Sequence, residues 1–216
     1  MQSRLALAVL VLAGVALSPL PSRALAILPV QDDRSVSVAY LSNPGLDESA
    51  VPVPPFSDFD AFVGGVGIAN ASQLSTIDTT AIHGFGGSGV DGSGDGSGAA
   101  VFDLTFQVDE PVAYSFSGYA YFEPDSQATV ALFGPGGALF EPGPTWPGLD
   151  FSTTGVLAPG TDYRLVVAAS HPDGMDFQAT QWSFDFAISA VPEPGSGLLC
   201  ALALLAAVGL SPRPRP

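Results

Sequence analysis

Gln178-Ala-Thr-Gln-Trp-Ser-Phe-Asp-Phe-Ala-Ile-Ser189 is the stretch from which the fold is read. Trp182, Phe184, Phe186 and Ile188 fall on one side of an extended chain, and Gln181, Ser183, Asp185 and Ser189 on the other. Strict alternation of this kind describes a strand with one dry face and one wet face, as in antiparallel sheets. Working outward, Val101 to Val108 repeats the pattern, with Phe102, Leu104, Phe106 and Val108 opposed to Asp103, Thr105 and Gln107. Val112, Tyr114, Phe116, Ala120 and Phe122 form an inward set, and Tyr163, Leu165 and Val167 another, with Arg164 outward. Val36, Val38 and Tyr40 alternate near the start, and Val130 with Leu132 marks a shorter strand. No ten-residue stretch between the ends shows a helical stripe. Turn formers separate the runs: Asp109-Glu110-Pro111, Glu123-Pro124-Asp125, Gly134-Pro135-Gly136-Gly137, Ala158-Pro159-Gly160 and His171-Pro172-Asp173-Gly174. The expectation is an all-β body over residues 27–190, a single antiparallel β-sandwich or jelly roll of about seven to nine strands. That length buries a core without disulfides, and the one cysteine, Cys200, lies outside it.

Composition limits the partners. The 216 residues carry 21 Asp and Glu against 6 basic residues, all arginine. Between Ile27 and Pro192 stand 20 acids with only Arg34 and Arg164, a net charge near −18. Such a surface repels phosphate backbones and anionic headgroups, so neither nucleic acid nor a peripheral membrane site is expected. With no cysteine in the body, thiolate chemistry and Cys-ligated zinc are excluded there.

Both ends read as addresses. Residues 1–26 have the form of a secretory signal peptide: Arg4, an apolar run from Leu5 to Leu17, helix-breaking Pro19 and Pro21, and Ala24-Leu25-Ala26 for signal peptidase. Residues 191–216 hold Pro192-Glu193-Pro194, an apolar run from Leu198 to Leu210, and a cationic end with Arg213 and Arg215. As a helix the run spans about 20 Å, short of a hydrocarbon core of about 30 Å. The arginines would hold its far end in the cytoplasm, leaving the body outside. This tripartite tail resembles the PEP-CTERM sorting signal of bacteria that secrete polysaccharide, although its arginines alternate with proline rather than forming an uninterrupted cluster. The resemblance covers the last 26 residues. It implies a membrane protease of the exosortase type as partner, a transient stay in the inner membrane, and delivery to the cell surface or extracellular matrix. There a structural or adhesive, non-catalytic role in polysaccharide is implied. Leu157 to Ala169 separately resembles the Pro-Gly-x-Tyr-x-Leu strand opening of secreted bacterial β-sandwich modules, with Pro159-Gly160 as the turn and Tyr163 plugging a sheet corner.

Chemistry-bearing candidates are few. Gly84 to Gly98 is low in complexity and reads as a Gly/Ser-rich loop. Within it Asp91, Ser93 and Asp95 copy the first half of a calcium loop, but Phe102 stands where the bidentate acid belongs. A calcium-dependent carbohydrate-binding module is therefore the alternative function; otherwise no cofactor is expected. No Gly-x-Ser-x-Gly or His-Glu-x-x-His is present, and His83 and His171 read as loop or strand-end histidines. Asp32-Asp33, Asp47-Glu48 and Asp109-Glu110 read as solvated turn residues rather than a hydrolase pair. The binding hint is aromatic: Tyr119 and Tyr121 lie on the strand face opposite Phe116 and Phe122, and Trp146 sits in a Pro/Gly loop. Exposed rings of this kind suit the faces of sugars, and their alternative role is to cover a sheet edge or cap the core.

Overall fold

The protein was analysed as a computed structural model, which describes residues 24–40, 44–64, 69–90, 96–123, 126–143, 148–171 and 178–191. The sorting-signal residues Pro192, Glu193, Pro194, Arg213 and Arg215 lie outside them, as do Asp91, Ser93, Asp95 and Trp146. Leu25–Ala190 is one compact unit.

Thirteen strands make up the described body: β1 (Ile27–Asp32), β2 (Ser35–Tyr40), β3 (Glu48–Ala50), β4 (Phe59–Gly64), β5 (Ala69–Ile77), β6 (Ala81–Val90), β7 (Gly96–Val108), β8 (Val112–Tyr121), β9 (Gln127–Gly134), β10 (Gly137–Phe140), β11 (Gly148–Leu157), β12 (Tyr163–His171) and β13 (Gln178–Ala190). They form two antiparallel sheets, the architecture of a β-sandwich. Sheet A runs β10-β9-β12-β7-β2-β3, with β1 also on β7; sheet B runs β11-β8-β13-β6-β5-β4.

The inner faces meet through the alternating residues. Phe102 of β7 stands edge-on to Phe184 of β13 at 4.8 Å, and Phe106 to Phe186 at 5.3 Å, the geometry that ring quadrupoles favour. Trp182 is buried among them and donates its indole N–H across the gap to Ala100 O at 3.3 Å. The Tyr163 hydroxyl accepts from the Ala158 amide (2.8 Å) and donates to the Ala158 carbonyl (3.3 Å), closing the Pro159-Gly160 turn as the sequence suggested.

Thirteen strands exceed the seven to nine expected, because the added ones lack a strong apolar rhythm. The plainest correction concerns Gly84 to Gly98. Only residues 91–95 separate β6 from β7; Gly84 to Val90 is a central strand of sheet B, bonded to β13 and β5. Its inward residues are small because Trp182 and Phe184 occupy the space. A Cβ on Gly84 would come 2.4 Å from Phe184 Cε1, and one on Gly86 2.5 Å from Trp182 Cζ2. Tight packing thus replaces alternation as the reason for the strand.

A second correction concerns Asp32. β1 and β2 follow the same edge of β7, on Leu104–Val108 and Gly96–Val101, and the chain breaks step between them. There Arg34 turns into the space between the sheets with 0% exposure. Asp32 is not a solvated turn residue: it holds the guanidinium by two 2.7 Å hydrogen bonds, from Nε and Nη2. Nη1 donates to Ser75 Oγ at 3.0 Å and Nη2 to Ser57 O at 2.7 Å, while the rings of Phe59 and Phe102 lie 5.9 and 5.8 Å away. Burial by itself raises the Asp32 pKa, but the bonds from Arg34 and from the Phe56 amide outweigh it and hold the carboxyl below its ordinary value. Asp47 and Asp109 lie in turns as expected, exposed and half-buried, and accept from the Tyr40 and Ala26 amides; Glu48, also exposed, lies within β3 and accepts from the Gly64 amide.

Candidate functional site

The outer face of sheet B carries the features that suit recognition. Its rows follow from register. Tyr119 on β8 pairs with Ser183 on β13, Ser183 with Phe85 on β6, and Phe85 with Leu74 on β5. Side chains in one row share a face, so Tyr119, Phe85 and Leu74 stand in line across the sheet. All three are exposed, at 38%, 44% and 52%. The neighbouring row runs Tyr121, Gln181, Gly87, Ser72 and Phe62. Gly87 leaves its middle bare, and glycine is required there: a Cβ would meet Thr180 O at 2.4 Å. Over this bare row, with Phe85 at one side and Gly89 at the other, opens a groove of about 570 Å³, lined also by Asn70, Ser72, Glu123 and Gln181.

The polar groups at the rim are partly tied. Tyr121 donates to Glu123 Oε1 at 3.2 Å; that bond and the nearby carboxylate raise the phenol above its ordinary pKa, because ionisation would lose the donor beside a negative charge. One row further on, His83 and Asp185 face each other, Nδ1 to Oδ1 at 2.5 Å, both exposed. His83 is the exposed third residue of β6, near the strand's start, whereas His171 closes β12 as a buried residue.

Of the residues picked out in the sequence, the structure brings Tyr119 and Tyr121 together on this face. Gly148, two residues after Trp146, pairs with Tyr121. Ala24 is exposed and Ala26 half-buried just ahead of β1, with Leu25 packed against the core. Among the described residues no group of three His, Cys, Asp or Glu is placed to hold a metal, and no helix is long and apolar enough to cross a membrane. Sequence reasoning missed Phe85, Leu74 and Phe62, because the segments carrying them were not read as strands.

No family model matches the chain, and no curated protein matches it either. Among solved structures, a GH31 alpha-xylosidase from Xanthomonas citri is similar over 70% of this chain and 25% of its own, at 7% identity and a TM-score of 0.21. That likeness carries no argument, and this chain spans about a quarter of that enzyme's length.

Proposed function

We propose that this is an exported, non-catalytic protein of the cell surface or extracellular polysaccharide matrix. Residues 1–26 are a signal peptide that signal peptidase removes after Ala26, residues 27–190 a single β-sandwich, and residues 191–216 a sorting tail. An exosortase-type protease recognises Pro192-Glu193-Pro194 and removes the apolar run behind it, so the protein is anchored in the inner membrane only in passing. The role is structural or adhesive: the body holds glycan by surface contacts, or by linkage through its new C-terminus.

The observation that carries the adhesive reading is the row of exposed rings on sheet B, Tyr119 and Phe85, set where a sheet face ordinarily meets water with polar side chains. A non-catalytic role fits how the acids are used. Asp32 and Asp103 neutralise the two arginines of the body, and Asp47, Glu48 and Asp109 accept backbone amides. The delivery step is tested by changing Pro192, Glu193 and Pro194 to alanine and fractionating the cells. The variant should stay in the inner membrane while the parent chain reaches the surface; surface delivery of both would overturn the sorting claim.

A further inference from the structure

We infer that the groove over Gly87 binds an uncharged polysaccharide, its chain running across the strands. This rests on the adhesive reading above and deepens it by naming the class of glycan.

Shape supplies the first argument. Tyr119 and Phe85 are two strands apart, about 10 Å, and offer flat apolar faces along one line. Pyranose rings present flat C–H faces and equatorial hydroxyls, so sugars of one chain, not adjacent ones, can stack on rings set in a row. The row beside them is bare at Gly87, and its flanks are the neutral Gln181 and Ser72, with Asn70 close by. Amide and hydroxyl groups both donate and accept, as sugar hydroxyls require.

Charge decides the occupant. Every cation between residues 24 and 191 is accounted for. The sequence there holds two arginines and no lysine. Arg34 is buried against Asp32. Arg164, on the other sheet, donates to both carboxylate oxygens of Asp103, and those bonds raise its pKa. The one histidine on the outer face of sheet B, His83, is held by Asp185. Glu123 lines the groove, while Asp150 pairs with Tyr119 and Asp60 with Leu74 at the two ends of the aromatic row. A glycan bearing carboxylate, sulfate or phosphate meets only like charge here. The same repulsion works against a second copy of this chain, since each body carries about −18. A neutral chain meets no such penalty.

The test uses the full-length protein in a zwitterionic, sugar-free detergent, run in native gels cast with a neutral β-glucan, a galactomannan, a xylan or alginate. At least one neutral polymer should retard the protein, and alginate should not. Phe85→Ala and Tyr119→Ala should each weaken the retardation about tenfold with the melting temperature kept, because both side chains point outward. Retardation by alginate alone, by none of the four, or unchanged in both variants would overturn the inference. So would a sedimenting dimer that Phe85→Ala dissolves, which would give the face to a second copy. None of these outcomes bears on how the two ends are processed, so failure of the site and failure of the sorting claim are separable.

Discussion

Gly86 lies against the indole of Trp182, with the position of its absent Cβ 2.5 Å from Trp182 Cζ2. The pair explains why a glycine-rich segment forms a central strand. The largest side chain of the core takes up the volume that ordinary residues would fill on β6, and its own indole N–H is satisfied by Ala100 across the gap.

Gly86→Ala should therefore destabilise the body, by about 1–3 kcal/mol or more, because an added methyl forces ring and backbone apart in a close-packed interior. Gly136→Ala is the control. Nothing lies within 4 Å of that added Cβ, so its effect should stay near zero. Urea midpoints of the two variants check this; equal midpoints would contradict the packing account.

Asp32→Asn should cost about 3–5 kcal/mol at neutral pH, since it leaves the Arg34 charge buried without its partner. The folded-state pKa of Asp32 is held below its ordinary value, so its contribution is fully present above the unfolded value. It is lost as pH falls through the folded one. Stability of the parent chain should thus drop toward that of the variant below about pH 4. Chemical denaturation at a series of pH values measures the gap. A gap that widens in acid would contradict the assignment.

Tyr163→Phe removes both hydroxyl bonds to Ala158 while keeping the buried ring. A loss of about 1–2 kcal/mol is expected, a little more than one neutral hydrogen bond provides. The same urea titration reads it out, and a variant as stable as the parent would mean that the ring alone holds the corner.

Chelation separates the two sequence readings of residues 91–95. The proposed matrix role needs no calcium, so adding a calcium chelator should leave the melting temperature where it was. A clear fall would favour the calcium-dependent reading built on Asp91, Ser93 and Asp95.

The fold was legible wherever bulky side chains mark the pleat. β13, β7, β8 and β12 were read with the correct inward residues because Trp, Phe, Tyr, Leu and Val alternate with polar ones. β6 was not, because alternation is invisible when the inward residues are glycine and serine, and their smallness answers to Trp182 and Phe184 more than ninety positions away. Arg34 was hidden for a related reason. Nothing local shows that a charged residue beside two aspartates will turn inward, since Ser75 and Ser57, which complete its shell, are supplied by distant parts of the chain. The candidate site followed the same division. Tyr119 and Tyr121 could be placed because β8 has a clear phase, while Phe85 was lost with its strand.

The measurement that tests the central claim most directly is the intact mass of the native protein recovered from the cell surface and the medium. A species beginning at Ile27 and ending at or near Pro192-Glu193-Pro194, with or without added glycan mass, is the predicted result. A species still carrying Leu198 to Pro216 would contradict it, leaving a protein held permanently in the inner membrane with no place in the matrix.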